Sequence, residues 1–183
     1  FNPEFLREGN AIYDFENPKR IIAGIRNKKS RVILEKIYKK YKKNSKLIFV
    51  DIKTAEFIKY YSNAFFSLLI SYSNEIANLC NKIGIDYIDV FNAFKLDNRL
   101  NINNKTPDVI NYMIPGIGYG GSCFPKDIKT LIKFAERKKF KLSILKNVDK
   151  INSLQPKLIS EIILKKFKEK KIKNCLVLGL TFK

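Results

Sequence analysis

Residues 54–84 read TAEFIKYYSNAFFSLLISYSNEIANLCNKIG, and this stretch decides the fold class. Apolar side chains recur at Ile58, Tyr61, Phe65, Leu68, Leu69, Tyr72, Ile76, Leu79 and Ile83, the three- and four-residue spacing of one helix face. Thr54 is expected to cap the N-terminus, and Gly84 to supply the glycine just past the C-terminus. At 1.5 Å per residue such a helix runs roughly 45 Å. That length suits the spine of a helical domain or a subunit interface.

Upstream, Arg20–Ile25 and Lys46–Val50 are short β-branched runs that read as strands, and residues 31–43 between them show helical spacing. Strand, helix, strand within about 30 residues is a βαβ unit with parallel strands. Alone it cannot bury both faces, so it is expected to end a larger sheet. Downstream, residues 86–95 read as a short helix and the Asn-rich residues 97–111 as a loop. A helix is expected over 125–138, with Pro125 in its first turn. Another is expected over 145–170, where Pro156 should kink it or split it in two. Residues 174–180 read as a new strand. The chain has 183 residues, opens on Phe1-Asn2-Pro3-Glu4 rather than a signal peptide, and stops at Lys183. Both ends are therefore read as cut.

Apolar residues make up 45% of the chain, enough for a sizeable core. No apolar run approaches the roughly 18 residues of a membrane span. The formal charge is +19, yet 30 of the 36 basic residues are Lys and only six are Arg, spread along the chain. That is a composition bias more than a phosphate-binding patch, and the densest run, Lys165–Lys173, ends an amphipathic helix where cations suit the dipole. No nucleic-acid or membrane partner is expected, and an anionic small molecule fits the charge. Cys80, Cys123 and Cys175 are odd in number and widely spaced, and the chain has no His. Neither a disulfide framework nor a metal site is indicated, and a reducing cytoplasm is the simplest setting.

The chemistry concentrates in residues 115–127, Pro-Gly-Ile-Gly-Tyr-Gly-Gly-Ser-Cys-Phe-Pro-Lys-Asp. Gly116, Gly118 and Gly121 formally match the dinucleotide fingerprint, but prolines flank them and no strand follows the helix, so that assignment is rejected. Cys123 is expected just before a helix N-terminus with Lys126 close by, a setting that favours thiolate. Glycine backbone beside it lets a substrate approach and leaves N–H groups for an oxyanion. A nucleophile and a structural cysteine are both open on this stretch alone. Lys59 and Asn63 share a helix face at i, i+4, which suits a polar substrate or, in a chain this rich in Lys and Asn, plain solvent. Glu4 and Glu8 have the same spacing and read as a surface pair.

In order, NPEFLREG (2–9), KYYSN (59–63), NEIA (74–77) and GYGGSCFPKD (118–127) resemble the UDP-glucose/GDP-mannose dehydrogenase family over essentially the whole chain. The resemblance implies a mainly α central dimerisation domain flanked by partial α/β, Rossmann-like domains. Residues 1–53 would end the NAD-binding domain, 54–170 would form the helical middle, and 171–183 would start the UDP-binding domain. It implies an NAD-dependent four-electron oxidation of UDP-glucose to UDP-glucuronate in polysaccharide biosynthesis. Alternatives are another nucleotide sugar such as GDP-mannose, or a non-catalytic helical dimerisation module. The family's NAD glycine motif would lie upstream, so these residues alone are not expected to turn over.

By the same resemblance Cys123 is the nucleophile, Lys59 the oxyanion stabiliser, Asn63 and Asp127 the water-positioning pair, and Glu4 the general base for thioester hydrolysis. Implied substrate contacts are Glu4, Phe5, Leu6, Arg7, Glu8, Lys59, Asn63, Tyr112, Met113, Ile114, Pro115, Gly116, Gly120 and Lys183. Glu8 and Lys126 would touch NAD, and Arg99 would reach the sugar site of the partner in a homodimer. Between Arg99 and Tyr112 the Asn-rich loop is longer than the family's usual spacing.

Overall fold

The computed structural model describes residues 1–41, 45–100 and 106–178. They fall into two compact units, Phe1–Ser62 and Asn63–Lys183. The first holds helix α1 (Ala11–Glu16), strand β1 (Arg20–Gly24), helix α2 (Lys28–Ile37) and strand β2 (Lys46–Val50). It also holds the first turns of the long helix α3 (Ile52–Ile83). The strands pair in parallel, Ile21 beside Leu47 and Ala23 beside Phe49, so the expected βαβ unit is present. Ile21, Ile22, Ala23 and Ala55 are its buried core. Helix α2 begins three residues before its apolar pattern because Asn27 caps it, accepting from the Ser30 N–H at 2.9 Å. It stops at Ile37 and a 3₁₀ turn (Lys39–Tyr41) follows, not the continuous helix over 31–43.

Helix α3 also starts early. Its cap is Asp51, whose carboxylate accepts from the Thr54 N–H at 3.0 Å, so Thr54 occupies the third helical position instead of the cap. At the other end Gly84 has φ +77°, and the Ile85 N–H reaches back to the Cys80 carbonyl at 2.9 Å, the six-to-one bond of a Schellman stop.

The second unit contains the rest of α3, helix α4 (Tyr87–Phe94), helix α5 (Phe124–Arg137) and helix α6 (Ser143–Glu169). Two 3₁₀ turns (Asn98–Leu100, Asp108–Met113) replace part of the expected loop over 97–111, of which 101–105 lie outside the described residues. Helix α6 is one element, not two, and holds Pro156 inside it. Residues 172–178 form no strand, and Leu176 and Leu178 are about four-fifths exposed. An apolar run becomes a strand only beside a hydrogen-bonding neighbour, and it has none among the described residues. Lys183 lies outside the described residues.

The face that α3 buries in this unit is not the apolar one. Ala64, Ser67, Ser71 and Asn74 are at most 8% exposed, whereas Phe65, Tyr72, Leu79 and Ile83 are exposed. Small side chains let neighbouring backbone approach closely, as where the Ser71 hydroxyl donates to the Val148 carbonyl on α6 at 3.3 Å. Phe91, Ile110 and Met113 form a core cluster, with Leu69, Tyr87 and Leu100 packed on it.

Candidate active site

The candidate side chains that the structure describes gather in two clusters, each within its own unit. In the first, the N-terminal segment runs beside β1, held where the Gly24 N–H donates to the Phe1 carbonyl at 2.7 Å and the Asn2 amide donates to the Ile22 carbonyl at 2.6 Å. Residues 2–9 are therefore extended or turned, and Glu4 and Glu8 do not share a helix face. The Lys59 ammonium donates to the Glu4 carbonyl at 2.8 Å and to its carboxylate at 3.2 Å. The other Glu4 oxygen accepts from the Leu6 N–H at 2.9 Å. Phe5 is flanked by the Arg20 guanidinium, 4.6 Å from its ring centre, and by the Lys59 ammonium at 5.6 Å. Arg7 forks onto Asp14 at 3.0 and 2.6 Å, and those bonds hold the Asp14 carboxyl down at about 2. Leu6 and Glu8 are exposed.

In the second unit Cys123 sits at the N-cap position of α5, exposed, its sulfur 3.6 Å from the Ser122 hydroxyl. Proline follows at the second helical position, where its missing N–H has no partner to lose. Asp127, only 4% exposed, accepts from the Asn63 amide at 2.6 Å and from the Lys126 ammonium at 2.5 Å. A buried carboxylate persists when it is paired and hydrogen-bonded in this way. Lys126 thus directs its charge onto Asp127, where the sequence suggested the cysteine. Asn63 lies one turn beyond Lys59 along α3.

The residues before Cys123 bring in an aromatic wall. Tyr112 stacks on Phe66 with ring centres 4.5 Å apart, and Phe66 meets Phe124 at 6.5 Å. Met113 points into the core cluster while its carbonyl accepts from the Tyr87 hydroxyl at 2.9 Å. Ile114 is exposed and Pro115 half-buried. Gly120 has open space where a side chain would be. Arg99 is folded onto Asp97, with contacts of 2.5 to 3.2 Å.

Sequence reasoning missed the amides that hold this segment. Asn74 accepts from the Gly116 N–H at 2.8 Å, and Gln155 donates to the Gly116 carbonyl at 2.8 Å. Asn152 accepts from the Tyr119 N–H at 2.7 Å and donates to the Tyr119 carbonyl at 3.0 Å. Asn78 donates to Gln155 at 2.8 Å. The tyrosine is itself 7% exposed, and burial raises its hydroxyl pKa far above the ordinary value. Apart from Asn74, which opens the NEIA stretch of the resemblance with no role given to it, nothing in the local sequence marks these amides in a chain with 18 Asn. Their partners lie 33 to 77 residues away.

Residues 53–154 match the central domain of the UDP-glucose/GDP-mannose dehydrogenase family, and residues 1–42 match its NAD binding domain. The chain belongs to that family. It is 41% identical, over its whole length, to UDP-glucose 6-dehydrogenase of Rickettsia prowazekii, and 38% identical to a UDP-glucose 6-dehydrogenase of Bacillus subtilis. The chain spans 41% and 39% of those relatives' lengths. Among solved structures, a UDP-glucose dehydrogenase from Pyrobaculum islandicum superposes with a TM-score of 0.81 at 35% identity, covering 91% of this chain and 36% of that one. The residues matched to the NAD binding domain include β1 and α2, and those matched to the central domain include the decapeptide ending at Asp127.

Proposed function

We propose that these residues are the central part of an NAD-dependent UDP-glucose 6-dehydrogenase, acting in the cytoplasm on UDP-glucose to give UDP-glucuronate for polysaccharide. The observation that carries the reading is an exposed cysteine at the start of α5, four residues before a buried, doubly bonded aspartate. In that reading residues 1–53 end the NAD-binding domain, 54–170 form the central domain, and 171–183 begin the UDP-binding one.

The dinucleotide, when bound, accepts hydride in each of two oxidations. The chain fits that group only in part. It supplies a parallel βαβ edge and the exposed Glu8, while its one G-x-G-x-x-G run precedes α5 and follows no strand. The chain's own groups supply the rest of the chemistry. After the alcohol has become an aldehyde, the Cys123 thiolate adds to the carbonyl carbon, forming a C–S bond and an alkoxide. Loss of hydride from that carbon leaves a thioester. Water then adds to the thioester, the C–S bond breaks, and carboxylate and free thiol are released.

Lys59 stabilises the alkoxide as its charge develops. Asn63 and Asp127 orient the attacking water, and Glu4, 3.2 Å from Lys59, takes its proton. Phe5, Leu6, Arg7, Tyr112 to Gly116, Gly120 and Lys183 contact the nucleotide sugar, and Lys126 and Glu8 meet the dinucleotide. For Arg7 this requires release from Asp14, and for Arg99 to reach the sugar site of a partner copy it requires release from Asp97.

A homodimer belongs to the same reading. Phe65, Tyr72, Leu79 and Ile83 lie within about 40° of one another around α3, at roughly 100° per residue, and all four are exposed. A stripe of large apolar side chains on one helix face suits a helix from a second copy. Among the described residues no helix is long and apolar enough to cross a membrane.

The test follows NADH absorbance in the full-length chain carrying these residues, with UDP-glucose and, separately, GDP-mannose. The expected result is two NADH per UDP-glucose, with turnover falling at least about 10³-fold in Cys123→Ser. Turnover on GDP-mannose alone would reassign the sugar. A Cys123→Ser variant as active as the wild type would remove the covalent mechanism, and no turnover on either sugar would leave a helical dimerisation module.

A further inference from the structure

We propose that Asn152, on α6, is a positioning residue for Cys123, acting through its paired hydrogen bonds to the backbone of Tyr119. The inference rests on the reading of Cys123 as the nucleophile. The segment that delivers Cys123, residues 115–122, contains four glycines and neither helix nor strand. Glycine loses more backbone freedom on ordering than any other residue, so this is the least self-supporting part of the site. It also carries the greatest need for precision, because reacting atoms displaced by about 1 Å can cost 10²-fold in rate.

The fixation comes from side-chain amides. Asn152 meets the Tyr119 N–H at 2.7 Å and its carbonyl at 3.0 Å, occupying both groups as a neighbouring peptide would in a sheet. Asn74 and Gln155, each 1% exposed, do the same for Gly116 between them. Buried amide networks are strong when complete and costly when broken. Gly118, between the two clamped residues, has φ +104°, and a Cβ there would lie 2.5 Å from the Asn152 side-chain oxygen. The glycine is therefore what allows the asparagine to reach Tyr119. From Tyr119 the constraint passes to the start of α5, since its ring meets Phe124 edge-on at 6.0 Å, and Phe124 directly follows Cys123.

The decisive variant is Asn152→Ala in the full-length chain. With the active sugar, kcat should fall about 10²-fold while KM stays within about threefold. NADH per sugar should drop below two, and hydroxylamine should capture released aldehyde, because a misplaced thiol fails to retain it. Independently of any substrate, hydrogen exchange across Gly116–Cys123 should quicken at least tenfold. A residue that only supports the fold would reduce the amount of active enzyme yet leave two NADH per sugar and no free aldehyde. That result, or unchanged exchange in the segment, overturns the proposal. Should Asn152→Ala not fold, Gly118→Ala displaces the same pair from the loop side and is read identically. Cys123→Ser separates the two readings. If it turns over normally, both fall, whereas an inactive Cys123→Ser beside a normal Asn152→Ala removes only the positioning role.

Discussion

At the residue scale, Asp127 is the buried carboxyl of the candidate site. Its carboxylate is buried and complete only while Asn63 and Lys126 both bond to it. In the full-length chain Asp127→Asn is expected to lower kcat about 10²-fold, with KM for the sugar within about threefold. Steady-state kinetics would show it, and a parallel rise in KM would make Asp127 a binding group instead. Arg7 and Asp14 give a second prediction. Asp14 is held at about 2 chiefly by the side-chain bond from Arg7, and its ordinary value is 3.8. A depressed carboxyl stabilises the fold above the unfolded-state value and loses that contribution as pH falls through the folded one. The window here is therefore from about 4 down to about 2. Because the pair is exposed, solvent screens its energetic weight. Carbon-13 titration of the Asp14 carboxyl should read about 2 and rise toward 3.8 in Arg7→Ala without reaching it, because the residue-7 N–H, 2.9 Å from the carboxylate, stays; a titration unmoved by that change would remove the Arg7 side chain as the cause.

At the element scale, α3 shows which features are written locally and which are not. Its existence and its glycine stop follow from periodicity and from the αL preference at Gly84. The cap shifts by three residues because Asp51 and Thr54 are both good caps and only the fold decides between them. Asp51→Ala should lower the urea midpoint at unchanged slope. If Thr54→Ala were the more damaging substitution, the cap assignment would be wrong. The buried face was not legible, because periodicity reports where large apolar side chains recur and not which neighbour they meet. In the second unit the small polar stripe of Ala64, Ser67, Ser71 and Asn74 is buried instead. The amides Asn74, Asn152 and Gln155 were illegible for a related reason, since each acts on backbone 33 or more residues away. By contrast, Cys123 before α5 and the parallel β1–β2 pair needed only local rules, a helix start and two β-branched runs. The strand expected at 174–180 needed a neighbour that the described residues do not offer.

At the scale of the whole molecule, the apolar stripe of α3 and the cysteine of α5 make separate claims. In the full-length chain Phe65→Glu combined with Tyr72→Glu should sediment as a monomer with an unchanged helical circular-dichroism spectrum, and a persisting dimer would place the subunit contact elsewhere. The central claim is covalent catalysis by Cys123, and the acyl-enzyme is its most direct witness. Full-length chain carrying Glu4→Gln, to slow thioester hydrolysis, would be mixed with UDP-glucose and NAD, quenched in acid, and examined by intact-protein and peptide mass spectrometry. The account predicts a uronyl adduct on the peptide containing Cys123, absent when Cys123→Ser is added. An adduct on another residue, or carboxylate product formed at the wild-type rate by Cys123→Ser with no adduct at all, would contradict it.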